Sequence, residues 1–178
     1  MDRYVAFLRG MNLGNRRLKN EELRSHFEAL GCEDVATFRA SGNVVFAKAG
    51  RSGDLTAELE AGLAEALAYD VPVFLRSAKE LLAIVGQEPF SSKQLEASKG
   101  KLQVALLKKK PSASAAKKAL VLSTDDDRLT IADRELYWLP AGGISESDLD
   151  WKAIESALGP TTVRTKSTID QIASKHFG

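Results

Sequence analysis

Residues suited to chemistry cluster first at Arg9-Gly10-Met11-Asn12-Leu13-Gly14-Asn15-Arg16-Arg17. Gly10 and Gly14 let backbone amides approach a ligand, because glycine takes positive φ without steric cost. Asn12 and Asn15 each carry a donor and an acceptor. Arg9, Arg16, Arg17 and Lys19 add positive charge, and no acid lies among residues 9–19 to neutralise it. That combination suits an anion cradle. The glycine spacing fits neither a Walker A loop nor a dinucleotide fingerprint. A solvated basic turn is the plainer explanation of the same residues.

Two further stretches add polar groups. Ser41-Gly42-Asn43 lies between two predicted strands and is expected to approach the first loop. A turn there is expected at the sheet end opposite that loop, so contact depends on where the hairpin tip falls. A tip at residues 50–53 would mean a different topology. Arg164-Thr165-Lys166-Ser167-Thr168 brings two cations and three hydroxyls to the start of the last helix. Free amides and the helix dipole favour an anion there, although capping by Ser167 accounts for the same residues. The candidate ligand-binding set is Arg9, Gly10, Asn12, Gly14, Ser41, Gly42, Asn43 and Arg164.

Little else in the chain suggests a reaction. His26 and His176 sit in no metal-like cluster. Cys32 is the one cysteine, so no internal disulfide forms and a reducing compartment is expected. No nucleophile–base motif or isolated carboxylate pair stands out, and no cofactor is called for. Lysine plus arginine number 25 against 24 acids, so no global field draws the chain to nucleic acid or anionic lipid. Any anion binding must be local.

These residues need elements to hold them. Tyr4 to Leu8 reads as a strand apolar on both faces, which wants cover on both. Asn20 reads as the N-cap of a helix carrying Leu23, Phe27 and Leu30. Val35 to Arg39 and Asn43 to Lys48 read as strands. Asp54 reads as the cap of a helix carrying Leu55, Leu59 and Leu63, and Val71 to Leu75 as the next strand. The order is the split βαβ, or ferredoxin-like, pattern. Ser77 with Glu80 forms a capping box for a further helix, and 91–100 is a polar connection with one short helix.

The second half repeats the order. Strands are expected at 102–107, 128–132, 135–139 and 161–164, with a helix over 112–122. Ser145 with Asp148 is expected to cap the next helix, and Ser167 with Asp170 the last. The spacing therefore predicts an α+β fold of two ferredoxin-like βαββαβ units. They span 1–77 and 101–178, joined by a helical connection at 78–100, with an extra C-terminal helix. A single larger mixed sheet is the competing arrangement.

RNA-recognition modules share this strand order. Their third strand asks for a cation-glycine-aromatic start, and Ser41-Gly42-Asn43-Val44-Val45-Phe46 supplies the glycine and one aromatic alone. That argues against nucleic acid as partner. No apolar run approaches the ~18 residues of a membrane span, so no membrane partner is expected and a cytoplasmic location is the default.

At the same residues the chain resembles the domain of unknown function 1697 family. The likeness is carried by Tyr4 to Gly14, Leu23 to Gly31 and Ser41 to Phe46. It extends over nearly the whole chain, more weakly through Tyr137-Trp138-Leu139-Pro140 and Thr162 to Thr168. Where the family places an asparagine after its late arginine, this chain has Thr165. The resemblance implies paired ferredoxin-like units and brings no activity, substrate or cofactor. The leading functional expectation is binding of a small anionic or nucleotide-like ligand near the first strand–helix loop. The alternatives are an enzyme of unassigned reaction and a protein-interaction module.

Overall fold

The unbroken apolar run from Tyr4 to Leu8 puts β1, Asp2–Leu8, in the interior of a sheet, with β3 on one side and β4 on the other. The computed structural model describes residues 1–11, 14, 16–39 and 42–178. After β1 come α1 (Asn20–Ala29), β2 (Glu33–Thr37), β3 (Asn43–Lys48), α2 (Ser52–Leu67), β4 (Val73–Ser77) and α3 (Ala78–Gly86). The sheet order is β2-β3-β1-β4, antiparallel throughout.

The order then recurs. After α4 (Ser92–Ala97) come β5 (Gln103–Leu107), α5 (Ala113–Leu120), β6 (Asp127–Ala132) and β7 (Glu135–Pro140). A 3₁₀ turn at Ile144–Glu146 leads to α6 (Trp151–Leu158), β8 (Thr161–Thr165) and α7 (Lys166–His176). This second sheet runs β6-β7-β5-β8. The fold is α+β, two tandem βαββαβ units with a sheet each, and not one larger mixed sheet. Chain contacts define two compact units, Met1–Ala83 with Lys175–Gly178, and Ile84–Ser174.

The repetition reaches the register. Leu8 faces Val73 and Val5 faces Arg76 in the first sheet. Leu107 faces Thr161 and Val104 faces Arg164 in the second. Each fourth strand thus carries an arginine at the same register position, which the unlike letters of the halves conceal.

Each sheet packs one face on its own helices. In the first unit Tyr4, Ala6, Leu8, Val44 and Phe46 meet Leu23 and Phe27 of α1 and Leu55, Leu59 and Leu63 of α2. Phe46 lies 5.8 Å from the Tyr4 ring and 5.5 Å from Phe27, distances at which ring pairs attract. On the other face Val5, Phe7, Val45 and Phe74 are also fully buried. In the second unit Ala105, Leu107, Leu136 and Trp138 meet Ala119, Ile154 and Leu158. Cys32 is buried in the first core, and burial pushes its thiol up to about 11, so it is a poor nucleophile at neutral pH.

Several helix starts differ from the sequence expectation. Lys19, not Asn20, occupies the N-cap of α1. A lysine ammonium has no acceptor, so the bond made is the reverse one, from the Lys19 amide to Glu22 Oε2 at 2.9 Å. α2 begins at Ser52, ahead of Asp54, which lies in its first turn. Asp150, not Ser145, caps α6 by accepting from the Ala153 amide at 3.0 Å. Thr165, not Ser167, caps α7 by accepting from the Thr168 amide at 3.1 Å, and Asp170 pairs instead with Lys166 at 2.6 Å. The Ser77–Glu80 box stands, with the Ser77 amide donating to Glu80 at 2.8 Å. β2 and β4 sit two residues away from the expected spans of 35–39 and 71–75.

The chain's last residues belong to the first unit. The Arg3 guanidinium lies over the Phe177 ring at 5.3 Å, and the Lys175 ammonium over Phe38 at 5.9 Å. Between them His176 Nε2 is buried, with no hydrogen-bond partner among the described residues. Burial, then Lys175 and Arg3, lower its pKa below the usual 6.5. The unfolded chain therefore takes up its proton at a higher pH than the folded chain does. Stability is intact above about pH 6.5 and falls as the pH drops below it. Melting temperature measured between about pH 8 and pH 5 should fall more steeply for the wild type than for His176→Gln. Parallel curves would remove His176 from the acid response.

Candidate functional site

Strand direction decides which loops can meet. β1 and β2 both run antiparallel to β3, so they point the same way. The β2–β3 connection therefore leaves from the end where β1 stops. The sequence expectation of opposite ends is corrected by this count of directions. The Leu8 amide donates to the Gly42 carbonyl at 2.8 Å, and the Arg9 amide to the Pro72 carbonyl at 3.1 Å. The first loop, the β2–β3 connection and the α2–β4 connection thus meet at one sheet end.

The β2–β3 connection closes on itself. The Phe38 amide donates to the Asn43 carbonyl at 3.0 Å, and the Asn43 side-chain amide donates to the Phe38 carbonyl at 2.9 Å. Asn43 is 1% exposed. One of its side-chain donors is therefore spent holding the hairpin, so part of its role is structural. The turn falls before Asn43, and not at residues 50–53. Gly42 has φ +74° and lies against Leu8 and Met11, a place for a residue without a side chain.

Gly10 and Gly14 also have positive φ, +74° and +58°. Arg9 and Gly14 are exposed, and Gly10 is half-buried. Asn12 and Ser41 lie outside the described residues, as do Leu13, Asn15 and Ala40. Arg39 is a cation that the sequence reading left in a strand. It is exposed, holds φ +57°, and its carbonyl accepts from the Asn20 side chain at 3.3 Å. A cation ahead of Ser41-Gly42-Asn43 was the available signal.

On the helix side of the same end is a hollow of about 520 Å³, lined by Arg16, Arg17, Leu18, Glu22, Ser25, His26, Leu67 and Tyr69. Arg16 lies over the Tyr69 ring at 4.0 Å and donates to the Gly10 carbonyl at 3.3 Å. Arg17 donates to the Gly14 carbonyl at 2.9 Å. These bonds fold both guanidinium groups back onto the loop's own carbonyls. Tyr69 escaped the sequence reading because it sits past the end of α2, with nothing local to tie it to the loop.

Arg164 stands in the second unit, on β8 opposite Val104. It is half-buried and donates to Thr162 Oγ1 at 2.8 Å and the Val163 carbonyl at 3.0 Å. Burial pushes its guanidinium down to about 10, which leaves it protonated at neutral pH. At the start of α7 the Lys166 amide is taken by the Leu102 carbonyl and the Thr168 amide by Thr165. Two donors that an anion would need there are already used.

The second unit has its own hollow of about 500 Å³, whose lining includes Asp126, Asp127, Glu146, Asp148 and Asp150. Asp127 is 5% exposed and accepts from Trp138 Nε1 at 2.8 Å and Ser147 Oγ at 2.7 Å. Asp125 and Asp126 form the bend before β6, closed by bonds between Thr124 and Asp127, and Asp127 itself begins the strand. Among the described residues no group of three or more His, Cys, Asp or Glu could hold a metal ion.

The family model described as "Protein of unknown function (DUF1697)" matches residues 1–137. The chain belongs to the DUF1697 family. No curated protein matches its sequence. The conserved bacterial protein SP0830 from Streptococcus pneumoniae is similar in structure, with a TM-score of 0.73 and 20% identity. The match covers 100% of this DUF1697 chain and 99% of the other. At that identity the likeness speaks to fold alone. Among the described residues of this DUF1697 protein, no helix is long and apolar enough to cross a membrane.

Proposed function

We propose that the sheet end of the first unit, where β1 gives way to the glycine- and arginine-rich loop, binds a small anionic ligand. The observation that carries this reading is the meeting of that loop with the β2–β3 connection through the Leu8–Gly42 bond. The meeting puts Arg9 and Arg39, both exposed, on connections that share one edge. Gly10, Gly14 and Gly42 hold positive φ, the conformation in which successive amides can turn toward one anion. Arg9 supplies charge, and Gly10, Gly14 and Gly42 permit close approach. Asn12, Ser41 and Asn43 are the polar groups on the same segments. The near-zero net charge means that this field is local.

Inorganic phosphate in a thermal-shift assay tests the reading, with chloride at equal ionic strength as reference. At a phosphate concentration near 100 Kd, mass action adds ~2.7 kcal/mol, or about 5–10 °C for a chain of this size. Arg9→Ala should lose most of that shift. Equal shifts in wild type and Arg9→Ala would overturn the assignment.

A further inference from the structure

We propose that the ligand of this loop is a nucleoside monophosphate, whose flat base lies in the hollow lined by Arg16 and Tyr69. The inference rests on the anion-binding reading above and names the chemical class of its ligand.

Four features of the hollow point to a flat group joined to an anion. First, the Arg16 guanidinium carbon lies over the Tyr69 ring, 4.0 Å from its centroid, and Tyr69 in turn packs against the first core. One face of the guanidinium plane is thereby backed by the protein. A base meeting the opposite face would complete a stack of three planes, a contact that guanidinium groups favour. Second, Leu18 and Leu67 give the same hollow apolar wall, which a phosphate would not need. Third, His26 and Ser25 on α1 supply polar atoms of the kind that read a base edge, Ser25 Oγ as an acceptor because its proton goes to the Glu21 carbonyl at 2.9 Å. Fourth, Arg16 also donates to the Gly10 carbonyl, so the stacking plane is tied directly to the loop assigned to the anion.

The volume of about 520 Å³ falls within the range of small-molecule sites. The one acid in the lining, Glu22, is engaged by the Lys19 amide at 2.9 Å. Its bond to the helix start gives it a structural role.

Titration calorimetry with inorganic phosphate, adenosine and adenosine monophosphate tests the proposal. The monophosphate should bind roughly 5- to 150-fold more tightly than phosphate, the gain that base stacking supplies. Arg16→Lys keeps the charge and removes the plane. It should erase most of that gain, read as the ratio of monophosphate to phosphate affinity. The proposal is overturned if the monophosphate binds no more tightly than phosphate, if Arg16→Lys leaves the ratio unchanged, or if adenosine alone binds as well as the monophosphate. Phosphate binding with no gain from the base would sink this inference alone. Binding of neither anion would sink the anion-site reading with it.

Discussion

Gly100→Ala should destabilise the protein by roughly 3 kcal/mol, at the upper end of the usual cost of overpacking. Gly100 follows α4 and lies against the end of β7. Its amide donates to Ser98 Oγ at 3.0 Å, and Ser98 Oγ donates to the Pro140 carbonyl at 2.5 Å. The Lys99 amide donates to the Ala141 carbonyl at 2.9 Å. A Cβ at Gly100 would fall on the carbonyl oxygens of Gly142 and Pro140. Both are backbone atoms, so no side chain can swing aside, and the whole connection must lift. The melting temperature should drop by about 6–12 °C. Gly53→Ala is the natural control. A Cβ there meets nothing within 4 Å, and the residue lies inside α2. It should be stabilising by about 0.4–1 kcal/mol through the unfolded chain. If Gly100→Ala melted with the wild type, the close packing of the connection on β7 would be wrong.

The sequence announced the strand and helix order because short apolar runs, closed by turn residues, give way to apolar residues three and four apart. β3 falls at Asn43–Lys48, and β7 begins at Glu135, as the short apolar runs predict. Caps were harder. Ser145-x-x-Asp148 has the letters of a capping box, yet a 3₁₀ turn takes Ile144–Glu146 and Asp150 reaches the first free amide of α6. Several polar residues in one stretch compete for the same amides, and local letters do not rank them. The error about the ends of the sheet was of another kind. With β3 antiparallel to both β1 and β2, these two strands end on the same side of the sheet.

The candidate site was legible in part for a related reason. Loop residues announce themselves by type, as Gly10, Gly14 and Gly42 did. Their neighbours from distant segments do not. Tyr69 beneath Arg16 is an ordinary residue until the chain folds. Arg164 shows the converse. Its neighbours Thr165 and Lys166 looked like anion ligands, but the Thr165 hydroxyl caps α7 and the Lys166 amide is taken by the Leu102 carbonyl ahead of β5.

Gly42→Val should cost roughly 3–4 kcal/mol and abolish phosphate protection together, which joins the fold of this end to its proposed use. Two effects add. The backbone at Gly42 has φ +74°, where an L-residue loses about 1–2 kcal/mol and a β-branched one is a true outlier. A Cβ there would also stand 3.1 Å from Met11 Cε, 3.2 Å from Leu8 Cβ and 3.3 Å from the Leu8 carbonyl oxygen. The methionine can yield, but the two Leu8 atoms belong to β1 and cannot move without the sheet. Relief of the clash would pull the Gly42 carbonyl from the Leu8 amide, and that bond is what draws the β2–β3 connection to the first loop. Gly42→Ala, with a smaller side chain, should lose part of the stability and part of the phosphate shift. Arg9→Ala should lose the shift while melting close to the wild type, because Arg9 is exposed. A Gly42→Val protein that melts within about 2 °C of the wild type would show that the two connections do not approach as closely as described. One that melts low yet keeps its full phosphate shift would separate the fold of this edge from any role in binding.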